Sequence, residues 1–183
     1  MAYQDALGKA WAKILTIKKQ ANYSVEFLAD EYTINTTNKS VISLSCNIPS
    51  PDHITILILH YLIKEIEGLP KEIMQWISFP ELDGGKGYYP TFKKRAIDPI
   101  LRKFANSPEG LLTLIERFSA KRVQIGDFGI VIYAFLRIPV LITLWRSDEE
   151  FSTQVNMLFD ASIKNIFPTE DIVVLAGLIA ANI

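Results

Sequence analysis

The sequence predicts an α+β protein in which an antiparallel sheet, built from an N-terminal meander and a later hairpin, packs with about six helices. Apolar residues recur at helical spacing near the start of the chain, and the pattern changes to a period of two between residues 23 and 44. Two strand-like runs then meet at a short proline-bearing segment near residue 138. Such runs must pair antiparallel, since a parallel pair needs a longer crossover. With 49% apolar residues, a single domain over residues 1–183 can bury a substantial core.

The first third of the chain contains two helices and the meander. A helix from about Asp5 to Gln20 follows from the spacing of Leu7, Trp11, Ile14 and Ile17. Alternation between 23 and 44 predicts the small antiparallel meander. Pro51 and Asp52 then open a helix that runs to about residue 67 and is closed by Gly68. Its segment 54–66 is apolar nearly all round, so we expect it to be the central buried helix.

The middle of the chain is predicted to be mostly helical. A short extended piece near residue 76 precedes a loop that contains Gly84, Gly85 and Gly87. Pro90 can begin the next helix, which reaches about Phe104. The triplet 106–108 caps a further helix over 109–119.

The last third is predicted to hold the hairpin and two helices. Strands are expected at 122–125, 129–136 and 140–145. A helix is then expected to begin at Ser152 or Thr153 and to end near Phe167, with Val155, Leu158, Phe159 and Ile163 on its inner side. Thr169, Glu170 and Asp171 are expected to cap a final apolar helix, 172–181, whose start places the two acids where the helix dipole favours negative charge.

Composition excludes several classes of function. A net charge of −1, from 19 basic and 20 acidic side chains, gives no case for a nucleic-acid partner or an anionic membrane surface. The longest apolar runs are interrupted before the roughly 20 residues that a membrane helix needs. The lone Cys46 excludes an intrachain disulfide and iron–sulfur ligation by this chain alone. No secretory signal begins the sequence, so we predict a cytoplasmic protein.

Three polar features in the first two thirds admit two interpretations each. His60 is either a core histidine satisfied by a neighbouring carbonyl or carboxylate, or a ligand and proton carrier that lines a cavity. The loop at Gly84 and Gly85 either connects two elements or presents its amides to an anion, although its spacing matches no phosphate or dinucleotide motif. Arg95 either holds that anion, together with Lys86, or forms a surface ion pair with Asp98 or another carboxylate.

The sharpest polar feature is the segment 145–151, Trp-Arg-Ser-Asp-Glu-Glu-Phe. Asp148, Glu149 and Glu150, together with Asp160, are the residue types that hold Mg²⁺ or Ca²⁺, but the alternation of a calcium-binding loop is absent. We therefore predict no metal site. Covalent catalysis is not predicted either, because neither histidine accompanies a strained nucleophile turn.

Six segments, in order along the chain, resemble the uncharacterised family catalogued as domain of unknown function 3786: Leu-His-Tyr-Leu (59–62), Trp-Ile-Ser-Phe-Pro-Glu-Leu-Asp-Gly-Gly (76–85), Arg-Ala-Ile-Asp-Pro-Ile (95–100), the segment 145–151, Leu-Phe-Asp-Ala-Ser (158–162) and Pro-Thr-Glu-Asp-Ile (168–172). The resemblance covers nearly the whole chain. It implies an origin among mostly anaerobic bacteria and archaea, and it implies no reaction. Some members occur beside iron–sulfur or one-carbon proteins, which suggests an accessory role in anaerobic cofactor metabolism.

The leading functional hypothesis is one pocket with an aromatic wall, a cation and opposing carboxylates, suited to a small organic ligand or cofactor whose identity the sequence does not reveal. The first alternative is an interaction module for a protein partner or a homodimer, anchored by Trp145, Phe151 and the acidic run. The second is an enzyme in which His60 works with an acid at a pocket floor. The predicted ligand-binding residues are His60, Trp76, Gly84, Gly85, Tyr88, Arg95, Trp145, Asp148, Glu149, Glu150 and Asp160.

Overall fold

Two antiparallel sheets and a set of helices form an α+β fold in the computed structural model, which describes residues 2–183. Residue 1, the first of the predicted domain, lies outside the described residues. The helices are α1 (Ala2–Ile17), α2 (Asp52–Glu67), α3 (Gly85–Phe92), α4 (Asp98–Phe104), α5 (Leu114–Phe118) and α6 (Thr169–Asn182). The strands are β1 (Asn22–Phe27), β2 (Asp30–Asn35), β3 (Ser40–Ser43), β4 (Ile48–Pro49), β5 (Trp76–Ser78), β6 (Lys121–Val123), β7 (Phe128–Phe135), β8 (Ile138–Trp145) and β9 (Gln154–Asp160).

The predicted fold class, meander and hairpin are confirmed. The first sheet has the order β1-β2-β3-β4, and each strand pairs antiparallel with the next, as period-two alternation indicated. In the second sheet β7 and β8 form the expected hairpin. A π-helical turn, Lys93–Ile97, joins α3 and α4 without a break, so the described chain has five separate helices, slightly fewer than the six expected.

The helix predicted to begin at Ser152 or Thr153 is wrong, because residues 154–160 form strand β9. This strand lies inside the second sheet, whose order is β5-β9-β8-β7-β6. Val155, Met157 and Phe159 point into the core, whereas Gln154 and Asn156 are exposed on the opposite face. The apolar residues of this segment fit both a helical and an alternating period, and pairing with two neighbouring strands decides between them.

Helix α3 begins at Gly85, five residues before the predicted start at Pro90. Gly84 has a positive φ of 69°, which suits glycine. Gly85 is buried, and a Cβ atom added there would overlap the carbonyl oxygen of Phe79, so only glycine fits. Pro90 therefore falls inside α3. In the predicted helix 109–119, the first part is a 3₁₀ turn, Pro108–Thr113, and only α5 is α-helical.

The core joins both sheets to α2 around one aromatic ring. Phe135, at the end of β7, stacks on Phe27 of the first sheet at a centroid distance of 4.5 Å and on Tyr61 of α2 at 4.4 Å. Residues 55–59 of α2 are buried, so the predicted central buried helix is present. Among residues 2–183, no helix combines the length and apolar character required to cross a membrane.

Candidate functional site

The structure distributes the predicted site residues over several places and does not bring them into one pocket. Trp145 and Asp148 line one depression, and Arg95 lines a groove beside α6. His60 contacts Asp171, in the first turn of α6. The others lie elsewhere: Trp76 and Asp160 at the far end of β9, Gly84, Gly85 and Tyr88 around the start of α3, and Glu149 and Glu150 on the exposed loop after β8.

The depression at Trp145 is the most polar arrangement that contains predicted residues. It has a volume of about 400 Å³ and lies where β8 ends and β9 begins. We call it the tryptophan depression; its lining residues are Asp127, Trp145, Arg146, Asp148, Phe151, Ser152, Gln154 and Asn156. The set combines an indole, a guanidinium, two carboxylates and two amides in one concave surface.

The turn between β6 and β7 supports one wall of the tryptophan depression. Gly126 has a φ of 72°, and a Cβ atom there would lie 3.0 Å from the carbonyl oxygen of Leu144 and 3.3 Å from the indole of Trp145. Glycine thus permits the turn to approach the indole closely. The next residue, Asp127, accepts a hydrogen bond through Oδ2 from the backbone N–H of Arg146 at 2.7 Å.

Asp148 closes the loop that forms the opposite wall. Its Oδ1 accepts hydrogen bonds from the backbone N–H groups of Phe151 at 2.7 Å and Glu150 at 2.9 Å. These hydrogen bonds, first the one from Phe151, lower the pKa of the Asp148 carboxyl below its ordinary value. Asp148 is thus an exposed carboxylate whose position is set by its own loop, and its Oδ2 accepts no hydrogen bond from the described residues.

Arg146 supplies the positive charge. Its guanidinium lies over the ring of Phe128 at 5.0 Å and 3.7 Å from Oε2 of Glu109. Both side chains of this ion pair are more than half exposed, so the pair is weak and leaves the guanidinium free to reorient.

Thr143 places a buried hydroxyl beside the tryptophan depression. It lies two residues before Trp145 on the same face of β8 and opposite Asn156 in the register of β9. It is completely buried, and its Oγ1 has no hydrogen-bond partner among the described residues. A buried hydroxyl without a partner is unfavourable, which makes Thr143 an unused donor and acceptor next to the depression.

Asp160 has a structural role that its sequence context did not reveal. Its carboxylate is buried and accepts hydrogen bonds from the backbone N–H groups of Ile73 (3.0 Å), Met74 (2.7 Å) and Ser162 (2.9 Å). Burial raises its pKa, but hydrogen bonds from Ser162, Ile73 and Met74 together outweigh burial and place the pKa below its ordinary value. Asp160 therefore anchors the segment that precedes β5, and it also pairs in register with Trp76, the first residue of β5.

The acidic run precedes β9 whereas Asp160 ends it, so the two do not meet at one place. Gln154, beside the tryptophan depression, and Asp160 are six positions apart along β9, which corresponds to roughly 20 Å of extended strand. Within residues 2–183, no group of three or more histidine, cysteine or acidic side chains is arranged to hold a metal ion. Glu149 and Glu150 are exposed on the loop and do not line the tryptophan depression.

The surroundings of Arg95 differ from both of those that the sequence predicted. It is exposed on the π-helical turn and lines a groove with His53 and with residues of α6. Its predicted surface partner, Asp98, pairs with Lys93 at 2.7 Å instead. The loop at Gly84 and Gly85 is likewise not part of this groove.

His60 has a carboxylate partner that lies 111 positions away in the sequence. Its Nδ1 is 2.5 Å from Oδ2 of Asp171, and the two side chains are 28% and 12% exposed. His60 is therefore neither sealed in the core nor fully in solvent. A carboxylate in this position orients the imidazole and selects its tautomer.

The glycines at the start of α3 have a sufficient structural explanation. The positive φ of Gly84 and the contact of Gly85 with Phe79 account for both residues. Tyr88, on the same helix, is 44% exposed and does not lie near Trp145 in any described cavity.

Sequence reasoning assigned no binding role to six residues in or beside the tryptophan depression: Asp127, Thr143, Arg146, Ser152, Gln154 and Asn156. Ser152 had been placed at the start of the helix that the structure replaces with β9. Arg146 was inside the segment 145–151 and could have been assigned from that position. Gln154 and Asn156 were hidden by the wrong helix prediction, since in a strand they alternate with Val155 onto the face of Trp145. The contributions of Asp127 and Thr143 depend on strand pairing.

Comparison with the curated proteins and with the solved structures gave no match. A protein family matched residues 9–182, nearly the whole chain, in agreement with the resemblance of the six segments. This match includes both sheets, α2, α6 and every residue of the tryptophan depression. The chain therefore belongs to the family described as Domain of unknown function (DUF3786).

Proposed function

We propose that the tryptophan depression binds a small organic molecule that has a flat ring and polar groups at its edge. The observation that carries this proposal is the convergence of Trp145 with a guanidinium, two carboxylates and two amides around one cavity of about 400 Å³. This volume falls within the roughly 300–1,000 Å³ of ordinary ligand sites.

The lining residues suggest how such a molecule would be held. A flat ring stacks on the indole of Trp145, because aromatic faces provide a large apolar contact with few lost rotamers. The side-chain amides of Gln154 and Asn156 both donate and accept hydrogen bonds, and they fix the orientation of the ring's polar edge. One carboxylate oxygen of Asp127 and one of Asp148 accept no backbone hydrogen bond from the described residues, and these oxygens accept hydrogen bonds from ligand N–H or O–H groups.

Both signs of charge line the tryptophan depression, and this limits the ligand. Arg146 supplies one positive charge and the two aspartates supply two negative charges. A strongly anionic ligand is therefore disfavoured, whereas a neutral or zwitterionic heteroaromatic molecule satisfies every lining group.

Native mass spectrometry tests the proposal on protein purified without oxygen from the organism that encodes it. We expect a bound organic molecule in the wild type and its loss in W145A and D148N. W76A is the matched control, because Trp76 is a partly buried tryptophan at the far end of the same sheet. Binding that survives in W145A and D148N contradicts the proposal.

A mass without any bound molecule, together with no change at the Trp145 indole N–H in NMR spectra with a panel of heteroaromatic compounds, would also contradict it. That result would favour the interaction module. Phe151 is 59% exposed beside three exposed acids and would be its anchor. Pull-down experiments with wild type and F151A would then identify a protein partner or a second copy of the chain.

A second candidate function is proton transfer by His60, which the 2.5 Å contact with Asp171 favours. If Nδ1 carries the proton and donates a hydrogen bond to the carboxylate, Nε2 keeps a lone pair that can accept a proton. Nitrogen-15 NMR of the histidine rings at alkaline pH measures this directly. We expect the proton on Nδ1 of His60 in the wild type and on Nε2 in D171A; the same tautomer in both proteins would contradict the assignment.

A further inference from the structure

We propose that the groove between α2, α6 and the π-helical turn is a second binding site, which takes a small carboxylate with an apolar chain. We call it the arginine groove; its lining residues are His53, Arg95, Val173, Val174, Gly177 and Leu178, and its volume is about 340 Å³. It shares no lining residue with the tryptophan depression, so the two proposals are independent.

Gly177 is the residue that first points to a ligand here. It lies inside α6, where glycine is less favourable than alanine. Its φ is not positive, and a Cβ atom would make only ordinary contacts, 3.6 Å from Cβ of Arg95 and 4.0 Å from its carbonyl oxygen. Packing and backbone geometry therefore do not require glycine. The space that its missing side chain leaves is part of the arginine groove.

Arg95 supplies a charge that no ion pair among residues 2–183 uses. It is exposed, and none of the ion pairs between the described residues includes it. The neighbouring acid Asp98 is held by Lys93 at 2.7 Å. A planar guanidinium without an acidic partner is suited to bidentate binding of a carboxylate.

The backbone that carries Arg95 is unusual in a way that agrees with a binding role. The π-helical turn Lys93–Ile97 interrupts regular helical geometry between α3 and α4. Such turns are rare and occur frequently at functional sites, because the inserted residue redirects the side chains around it. Here the turn carries Arg95 at the face of α6 that contains Gly177.

The remaining lining residues define the rest of the ligand. Val173, Val174 and Leu178 form an apolar wall along α6, which favours a hydrocarbon chain. His53, from the first turn of α2, offers a ring N–H to the second carboxylate oxygen. Asp171, the acid one turn before Val174, is engaged by His60 and so does not compete for Arg95.

Isothermal titration calorimetry and NMR with octanoate test the proposal on the full chain. We expect saturable binding with shifts of the Gly177 and Val174 amide signals and none at the Trp145 indole. R95A should weaken binding by roughly tenfold, as expected for the loss of a charge-assisted hydrogen-bonded pair. R102A is the matched control. Arg102 is also exposed and lies in α4, which continues directly from the π-helical turn that carries Arg95, but it does not line the arginine groove.

G177A separates a binding role from a structural role. We expect it to raise the thermal midpoint and to weaken octanoate binding, since the added methyl group fills part of the arginine groove. G8A is its control: Gly8 is an exposed glycine inside α1, and a Cβ atom there would meet no neighbouring atom within 4 Å, so the change should raise the midpoint and leave binding unchanged. Wild-type affinity in both R95A and G177A, or no saturable octanoate binding to the wild type, would overturn the proposal.

Discussion

Near each end of β9 an aspartate lies close to a tryptophan, yet the two carboxylates have opposite roles. At one end, Asp160 is buried, pairs in register with Trp76 and accepts three backbone hydrogen bonds. At the other end, Asp148 is exposed beside Trp145, and its carboxylate accepts two hydrogen bonds from its own loop through one oxygen. A carboxylate whose oxygens are already occupied stabilises the fold, whereas one with a free oxygen at a concave surface remains available to a ligand.

Replacing Asp160 should give the largest effect. D160A leaves the N–H groups of Ile73, Met74 and Ser162 without their acceptor. The N–H of Ser162 is buried, and an unsatisfied buried group costs about 1–3 kcal/mol, whereas Ile73 and Met74 are exposed residues whose N–H groups water can partly satisfy. We expect the free energy of unfolding, measured by urea denaturation, to fall by roughly 2–3 kcal/mol. A wild-type urea midpoint in D160A would show that the Asp160 carboxylate does not stabilise the fold, so the two aspartates would not differ in role.

The pH dependence of stability should follow Asp160. Since its pKa is lowered in the folded protein, its contribution is present above the ordinary value of 3.8 and is lost as the pH falls through the folded pKa. We expect wild-type stability to decline more steeply below pH 4 than that of D160N, in urea titrations at several pH values. Parallel curves of unfolding free energy against pH for the two proteins would show that Asp160 does not cause the loss of stability at low pH.

Replacing Asp148 should change stability little and ligand binding strongly. Its loop is exposed and its hydrogen bonds are local, so water can replace them. We expect D148A to keep a urea midpoint close to that of the wild type while native mass spectra show loss of the bound molecule. A large drop in the midpoint would instead make Asp148 a structural residue like Asp160.

Replacing Thr143 should give the smallest effect on stability, and in the opposite direction. T143V removes a buried hydroxyl that has no partner and keeps the side-chain shape, so we expect an equal or higher urea midpoint. T55V is the matched control, because Thr55 is buried and donates a hydrogen bond to the carbonyl oxygen of Ser50 at 3.1 Å. T55V should lose about 1 kcal/mol. A similar loss in T143V would mean that its hydroxyl has an unrecognised partner.

Most of the fold follows from local patterns in the sequence. The helix at residues 52–67, the meander and the β7–β8 hairpin were predicted because their apolar residues repeat with one clear period and their ends carry proline or glycine signals. Strand β9 was predicted as a helix because Val155, Leu158 and Phe159 fit helical spacing as well. The start of α3 was missed because Gly85 is required by its contact with Phe79, which no local pattern shows.

The candidate sites were predicted only in part. Trp145 and Asp148 are close in sequence, so their joint position in the tryptophan depression follows from a short loop. The partner of His60, the groove residues around Arg95 and two of the three hydrogen-bond donors to Asp160 lie far from them in sequence and depend on how helices and strands pack. The expected single pocket combined residues that the fold separates.

The sequence by itself determined the α+β class, the paired strands of the meander and hairpin, and which polar residue types were available for binding. It did so because hydrophobic periodicity and turn residues act over a few positions along the chain. Tertiary structure alone decided that 154–160 is a strand, that Asp160 is occupied and Asp148 free, and that Arg95 faces Gly177. The physical reason is that strand partners, hydrogen-bond donors and the walls of cavities come from other segments of the chain, which are more than 80 positions apart for Met74 and Asp160 and for His60 and Asp171.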